Sequence, residues 1–201
     1  LEVIDVVNEP LHAPPSYKDA LGGDGVTGYD WVITAFEMAR EHFPNAQLIL
    51  NDYNILHLEA NTAEYLALVE LLQDRGLIDA IGLEAHFLEN VSPAMVQINL
   101  DTLAGTGLPI YITEFDLNLA DDAEHANVMR DLFTVFWEHT GVEGVTHWGH
   151  LEGSVWQANA YLINADGTER PALEWLVCYL NGGTDCTVPE LVFDGWQGSE
   201  A

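Results

Sequence analysis

Five short apolar runs, each followed by a stretch with helical periodicity, leave this chain few folds to choose from. The runs are LEVIDVVN (1–8), AQLILNDYN (46–54), IDAIGLEAHF (78–87), PIYITEFDLN (109–118) and VEGVTHWGH (142–150). Between and after them lie YDWVITAFEMAREHF (29–43), NTAEYLALVELLQDRG (61–76), SPAMVQINLDTLAGTG (92–107), DDAEHANVMRDLFTVFWEHTG (121–141) and RPALEWLVCYL (170–180). In the first helix Trp31, Ala35, Met38 and Ala39 are predicted to share the buried face, with Pro44 as the stop. Ser92 reads as an N-cap with Pro93 at the first helical position, and Gly76 closes the second helix. Trp31, Trp137 and Trp175 fall within helices and are expected in the core. Strands joined through helices run parallel, so the fold class is α/β.

Such alternation fits an open doubly wound sheet or a (β/α)8 TIM barrel. An open sheet concentrates its site at one switch point, whereas a barrel assembles it from the C-terminal ends of many strands. Here every strand ends in polar or aromatic groups: Asn8-Glu9, Asn51-Asp52-Tyr53, Glu84 and His86, Glu114 and Asp116, His147-Trp148. The barrel is therefore expected. Five strands cannot close it, so about three more are expected before Leu1, and Leu1 itself opens directly on a strand. Residues 1–180 are assigned to the barrel and 181–201 to a C-terminal tail.

Composition excludes several partners. Thirty-three acidic residues against five Lys plus Arg give a formal net charge of −28, which repels phosphate backbones and anionic lipid heads. Neither a nucleic-acid nor a membrane partner is expected, and no apolar run is long enough to span a bilayer.

Glu9 and Glu114 each end an otherwise apolar strand. Two carboxyl groups across a cleft can cleave a glycosidic bond, one protonating the leaving oxygen while the other attacks the anomeric carbon or activates water. The neighbours suit that chemistry. Asn8 can donate to a sugar hydroxyl, His86 can hold Glu114, and Asp116 can orient the network. Trp148, Trp156 and Tyr53 offer flat faces for pyranose rings, with core packing as the competing role of the tryptophans.

In order and spacing, DVVNEP, LNDYN, IGLEAHF and ITEFD resemble the motifs that end the fourth to seventh barrel strands of glycoside hydrolase family 10. THWGHLEGSVW and LINADGTERPALEWL resemble its eighth strand and closing segment. The resemblance implies a (β/α)8 barrel of which this chain supplies strands four to eight, and a retaining endo-β-1,4-xylanase acting on xylan or xylo-oligosaccharides. It implies Glu9 as acid/base and Glu114 as nucleophile, about 5–5.5 Å apart. It makes Asn8 the partner of the sugar 2-hydroxyl, His86 the partner of Glu114, and Asp116 their support. Tyr53 would lie on the leaving-group side, and Trp148 and Trp156 would wall the subsite at the cleavage point. No metal or organic cofactor is required.

Two departures stand out. Glu84 occupies a position where many relatives carry Gln, placing a third carboxyl beside the pair, with an altered pH profile as the expected effect. The family's first three strands, which supply further sugar contacts, are not in this chain, so the missing N-terminal part of the barrel is the expected partner. Three other readings stay open: a retaining barrel glycosidase acting on glucan or mannan, a carbohydrate-binding fragment without turnover, and a weaker metal site at His147, His150 and Glu152.

The YLNGGTD turn lets Cys178 and Cys186 join as a short-loop disulfide, as in an exported protein, or leaves two buried thiols. A secreted or periplasmic location is expected. The acidic balance reflects either a saline working environment or simply an acidic surface. An unfolding midpoint that rises with added salt selects the first, and one that does not selects the second.

Overall fold

The computed structural model describes residues 2–191, so Leu1 and the end of the expected tail, 192–201, lie outside the described residues. Five strands form one parallel sheet in sequence order: β1 (Val3–Asn8), β2 (Gln47–Tyr53), β3 (Ala80–Ala85), β4 (Ile110–Phe115) and β5 (Val142–His147). The helices are α1 (Asp30–His42), α2 (Glu59–Gln73), α3 (Pro93–Ala104), α4 (Asp122–Glu138) and α5 (Pro171–Leu180). A short 3-10 turn, Lys18–Leu21, interrupts the long connection after β1. Among the described residues the sheet is open, with β1 and β5 as edges. No described helix is long and apolar enough to cross a membrane.

Strand period separates two faces. Leu48 and Leu50 of β2, Ile81, Leu83 and Ala85 of β3, and Ile110, Ile112 and Phe115 of β4 join the helices in the main core. The residues between them, including Asn51, Gly82 and Glu84, face the opposite side. There Gly82 makes room for Asn51: a Cβ would lie 2.5 Å from the Asn51 Oδ1 atom. Tyr65 of α2, wholly buried, donates its hydroxyl to the Leu50 carbonyl at 2.7 Å and sits 2.9 Å from that of Gly82, pinning the helix across β2 and β3.

The register slips by one residue where it matters. Asp5 pairs with Ile49 and Val7 with Leu50, leaving Val6 as the extra residue of β1. Leu83 pairs with Ile112 and Glu84 with Glu114, leaving Thr113 as the extra residue of β4. Such a bulge re-aims the side chains beyond it.

Several local expectations hold. Ser92 Oγ accepts from the Met95 amide at 3.2 Å, with Pro93 at the start of α3. A cap not foreseen is Asp121, whose Oδ1 accepts from the Glu124 amide at 2.8 Å at the start of α4. Two expectations need correction. Met38 is exposed, because the buried face of α1 runs through Trp31, Val32 and Phe36, with Ala35 and Ala39 at its edge. Trp137 is also exposed, at the last turn of α4, where it stacks on Phe133 with centroids 5.6 Å apart, while Trp31 and Trp175 are buried. Cys178 and Cys186 form a disulfide, and in the described part of the expected tail Cys186 and Val188 pack on the core while their neighbours are exposed.

Arg170 ties the segment after β4 to the segment after β5. Although only 2% exposed, it reaches Asp122 at 2.7 Å and donates to the carbonyls of Leu119 (2.8 Å), Asn159 (2.8 Å) and Tyr161 (3.1 Å). Its guanidinium also lies over the Tyr161 ring. Replacing it by Met leaves three carbonyls without their donor, and Arg170→Met is expected to lower stability by about 3 kcal/mol or more, as read from urea unfolding. A loss under 1 kcal/mol would show that the loops hold without it.

Candidate active site

The strand ends place their polar groups on one surface because parallel strands all point the same way. Glu9, Asn54 and Phe87, directly after or one residue beyond β1, β2 and β3, adopt positive φ of 54°, 60° and 60°. Left-handed backbone is unfavourable for residues with a Cβ and is concentrated at functional sites. In β1 it turns Glu9 out of the strand direction while the Glu9 amide still donates to the Asn51 carbonyl at 2.8 Å.

Glu9 and Glu114 line one cleft of about 650 Å³, together with Asn8, Tyr53, Glu84, His86, Trp148 and Trp156. Every residue expected to contact substrate is thus in one place. Asp116 lies behind it, fully buried, accepting from His86 Nδ1 at 2.7 Å and from the Trp156 indole N–H at 2.6 Å. His86 reaches Glu114 Oε2 through Nε2 at 3.1 Å. With a carboxylate at each nitrogen, the imidazole donates from both only when charged. Burial opposes that charge, but hydrogen bonds to Asp116 and Glu114, and the charges of the same two groups, raise His86 from 6.5 to about 9. The imidazolium therefore fixes Glu114 and, through Asp116, Trp156. The rings of His86 and Trp156 meet edge to face, 5.0 Å apart.

Asn51 links the other side. Its amide nitrogen donates to Asn8 Oδ1 at 2.7 Å and Glu84 Oε1 at 2.8 Å, and its oxygen accepts from the Thr113 hydroxyl at 2.6 Å. One buried amide thereby joins β1, β3 and β4. Glu84 is 3% exposed, and burial followed by the charges of Glu114 and Glu9 pushes its carboxyl from 4.5 up to about 8 against the pull of His86. Asp52, also fully buried, accepts from the amides of Leu11 and Tyr53 at 2.8 Å each and from His12 at 2.7 Å. Those bonds fix the loop after Glu9 and the base of Tyr53.

Two cleft residues were not anticipated, Asp5 and Phe87. Asp5 is exposed on the cleft floor yet closely surrounded, and burial followed by the charge of Glu114 raises its carboxyl. A lone acid inside an apolar strand was the available signal. Phe87 carries no such mark; its backbone conformation swings the ring between Tyr53 (6.4 Å) and Trp156 (5.7 Å). Asn51 and Thr113 escaped notice as network members because their roles depend on cross-strand register.

His147 does not line the cleft. Its Nδ1 meets the Gly149 carbonyl, its ring packs near Phe115, and burial lowers its basicity. Glu152 instead accepts from the Ala165 amide at 2.8 Å. Among the described residues, His147, His150 and Glu152 do not converge as a ligand set.

The alkaline behaviour of the fold follows from His86 and Glu84. Both are raised in the folded state, so each favours folding fully below its unfolded value. His86 loses its contribution as pH rises from 6.5 through about 9, and Glu84 from 4.5 through about 8. The unfolding midpoint is therefore expected to fall between pH 6 and pH 9.5, by differential scanning fluorimetry at constant ionic strength. A midpoint that is flat or rising would refute these assignments.

Residues 1–179 match the family model of Glycosyl hydrolase family 10. Endo-1,4-beta-xylanase B of Cellvibrio japonicus is 38% identical over 183 residues, spanning 89% of this chain and 29% of the relative. Anti-sigma-I factor RsgI6 of Acetivibrio thermocellus is 32% identical over 166 residues, covering 82% of this chain and 21% of its own length. Among solved structures, an intracellular xylanase from Thermoanaerobacterium saccharolyticum, in complex with xylotetraose, superposes with a TM-score of 0.74 at 28% identity. That match covers 86% of this chain and 56% of the solved one. The chain thus spans under a third of these curated relatives and just over half of the solved chain.

Proposed function

Because the chain belongs to glycosyl hydrolase family 10, we propose that it forms the catalytic half of a retaining endo-β-1,4-xylanase. The observation that carries this reading is the placement of Glu9 and Glu114 in one aromatic-walled cleft, with Glu114 held by His86. In the first step a Glu114 carboxylate oxygen attacks the anomeric carbon and the glycosidic C–O bond breaks. Glu9 gives its proton to the departing oxygen. In the second step Glu9 takes a proton from water, the water oxygen attacks the same carbon, and Glu114 leaves as carboxylate. Asn8, tied to Asn51, presents its amide to the sugar 2-hydroxyl. Trp148 and Trp156, 44% and 54% exposed, offer ring faces to the sugar, and Tyr53 continues the wall on the leaving-group side.

The substrate is xylan or its oligosaccharides; the xylanase names of relatives and the xylotetraose held by a solved neighbour support this. We further propose that additional βα units complete the cleft by docking on the edge strands β1 and β5. The open edges and exposed Val3 support that arrangement, since bare edges favour pairing. The Cys178–Cys186 disulfide favours an oxidising compartment, hence secretion or the periplasm. A carbohydrate-binding role without turnover is the second reading, favoured by a cleft whose sheet is open at β1 and β5 among the described residues.

Reducing-sugar release from xylan is to be measured for the protein alone and mixed with a polypeptide carrying the complementary strands. Glu114→Ala is expected to abolish release, and Glu9→Gln to lower kcat by about 10²–10⁴-fold, the usual worth of general acid–base catalysis. Release insensitive to both substitutions would overturn the assignment. Xylan binding without any release would select the second reading.

A further inference from the structure

We propose that Glu84 is a positioning residue that works as a neutral carboxylic acid, its proton on Oε2 beside Glu114, and that its ionisation adds an alkaline loss of catalysis to the one that follows when Glu9 gives up its acid proton. This deepens the hydrolase reading and rests on Glu114 as nucleophile.

The bonds around Asn51 locate the proton. Thr113 donates to the Asn51 oxygen, so the Asn51 N–H groups face Asn8 and Glu84, and Glu84 Oε1 is an acceptor. The remaining oxygen, Oε2, lies 3.9 Å from His86 Nε2, a distance too long for a hydrogen bond. Ligand-capable atoms of Glu84, His86 and Glu114 all lie within 4.8 Å of one another. The β4 bulge puts Glu84 and Glu114 level on adjacent strands. A buried carboxyl beside a second carboxylate cannot ionise freely, and shared protonation is the usual resolution.

The surrounding groups favour the neutral form. Glu9 and Asp5 approach from β1 and its end, Asp52 and Tyr53 from β2, and Glu114 and Asp116 from β4. Among the described groups acting on Glu84, only His86, directly after β3, is cationic, and it is already engaged by Glu114 and Asp116. A carboxyl that ionises at about 8 keeps its proton through neutral pH. In that state it presents an O–H toward Glu114 and adds no negative charge to the cleft. Once ionised, it repels the nucleophile it had steadied and competes with Glu114 for His86.

Protein labelled with 13C at the glutamate side-chain carboxyl carbons is to be titrated by NMR, without substrate. One resonance titrating near pH 8, absent in Glu84→Gln, is expected. Glu114→Gln removes the largest neighbouring charge and is expected to move that titration to lower pH. In parallel, kcat/KM is to be measured from pH 5 to 9.5, each protein against its own maximum. At pH 9 the wild-type value is expected to fall about tenfold further than that of Glu84→Gln, since one ionisation near 8 leaves about a tenth of the neutral form. No glutamate titrating above pH 6.5 would overturn the proposal, as would a titration indifferent to Glu114→Gln. An alkaline limb identical in wild type and Glu84→Gln would overturn the positioning role. The NMR arm needs no turnover, so a failed hydrolase reading and a failed Glu84 assignment remain separable.

Discussion

Parallel strand pairing is the constraint on which everything else rests. A parallel ladder cannot be closed by a tight turn, so each strand is returned by a helix, and each helix covers the same face of the sheet. The helices therefore supply the core, with Leu48, Leu83 and Ile112 facing them. The opposite face and the C-terminal strand ends are left to polar chemistry. In this family eight such units close a barrel, and the described residues form five of them. The central strand shows the division most sharply: β3 is buried along its whole length, yet it delivers Glu84 and His86 to the cleft.

Much of this was legible from the residues. Hydrophobic period and the Gly, Pro and Ser punctuation placed all five strands and five helices, with boundaries shifted by only a few residues. The cleft was legible because all five strands end in polar or aromatic groups and the motifs around Glu9, His86 and Glu114 resemble those of one family, although Asp52 and His147, at the same strand ends, serve the structure. What escaped depends on relations between strands. Thr113 looked like an ordinary strand residue until the slip opposite Leu83 turned it toward Asn51. Phe87 followed a strand end without any polar mark, and its left-handed backbone is not written in its side chain. On α1, Met38 fitted the apolar spacing, but a helix on a sheet buries a narrow stripe, which Val32 and Phe36 already fill.

The site's electrostatics follow from one imbalance. Many carboxyl groups converge on a single imidazole, in a chain with five Lys plus Arg in total. His86 stays protonated because two carboxylates require it, and Glu84 keeps its proton because burial, and then the charges of Glu114 and Glu9, oppose its ionisation. Away from the cleft, His125 of α4 shows the opposite case. It is buried, with burial followed by the charges of Arg170 and His147 depressing it to about 3, so it serves as an uncharged core ring.

The two register slips beside the cleft, at Val6 and at Thr113, occur on the strands that carry Glu9 and Glu114. Because side chains alternate between faces, each extra residue decides whether the carboxyl beyond it meets the cleft or the helix layer. The site is thus encoded by chain count as much as by residue identity. A single codon lost or gained within these two strands would turn a catalytic carboxyl away from the cleft even with every other residue unchanged. Length in β1 and β4 is the trait that selection on this cleft would hold fixed.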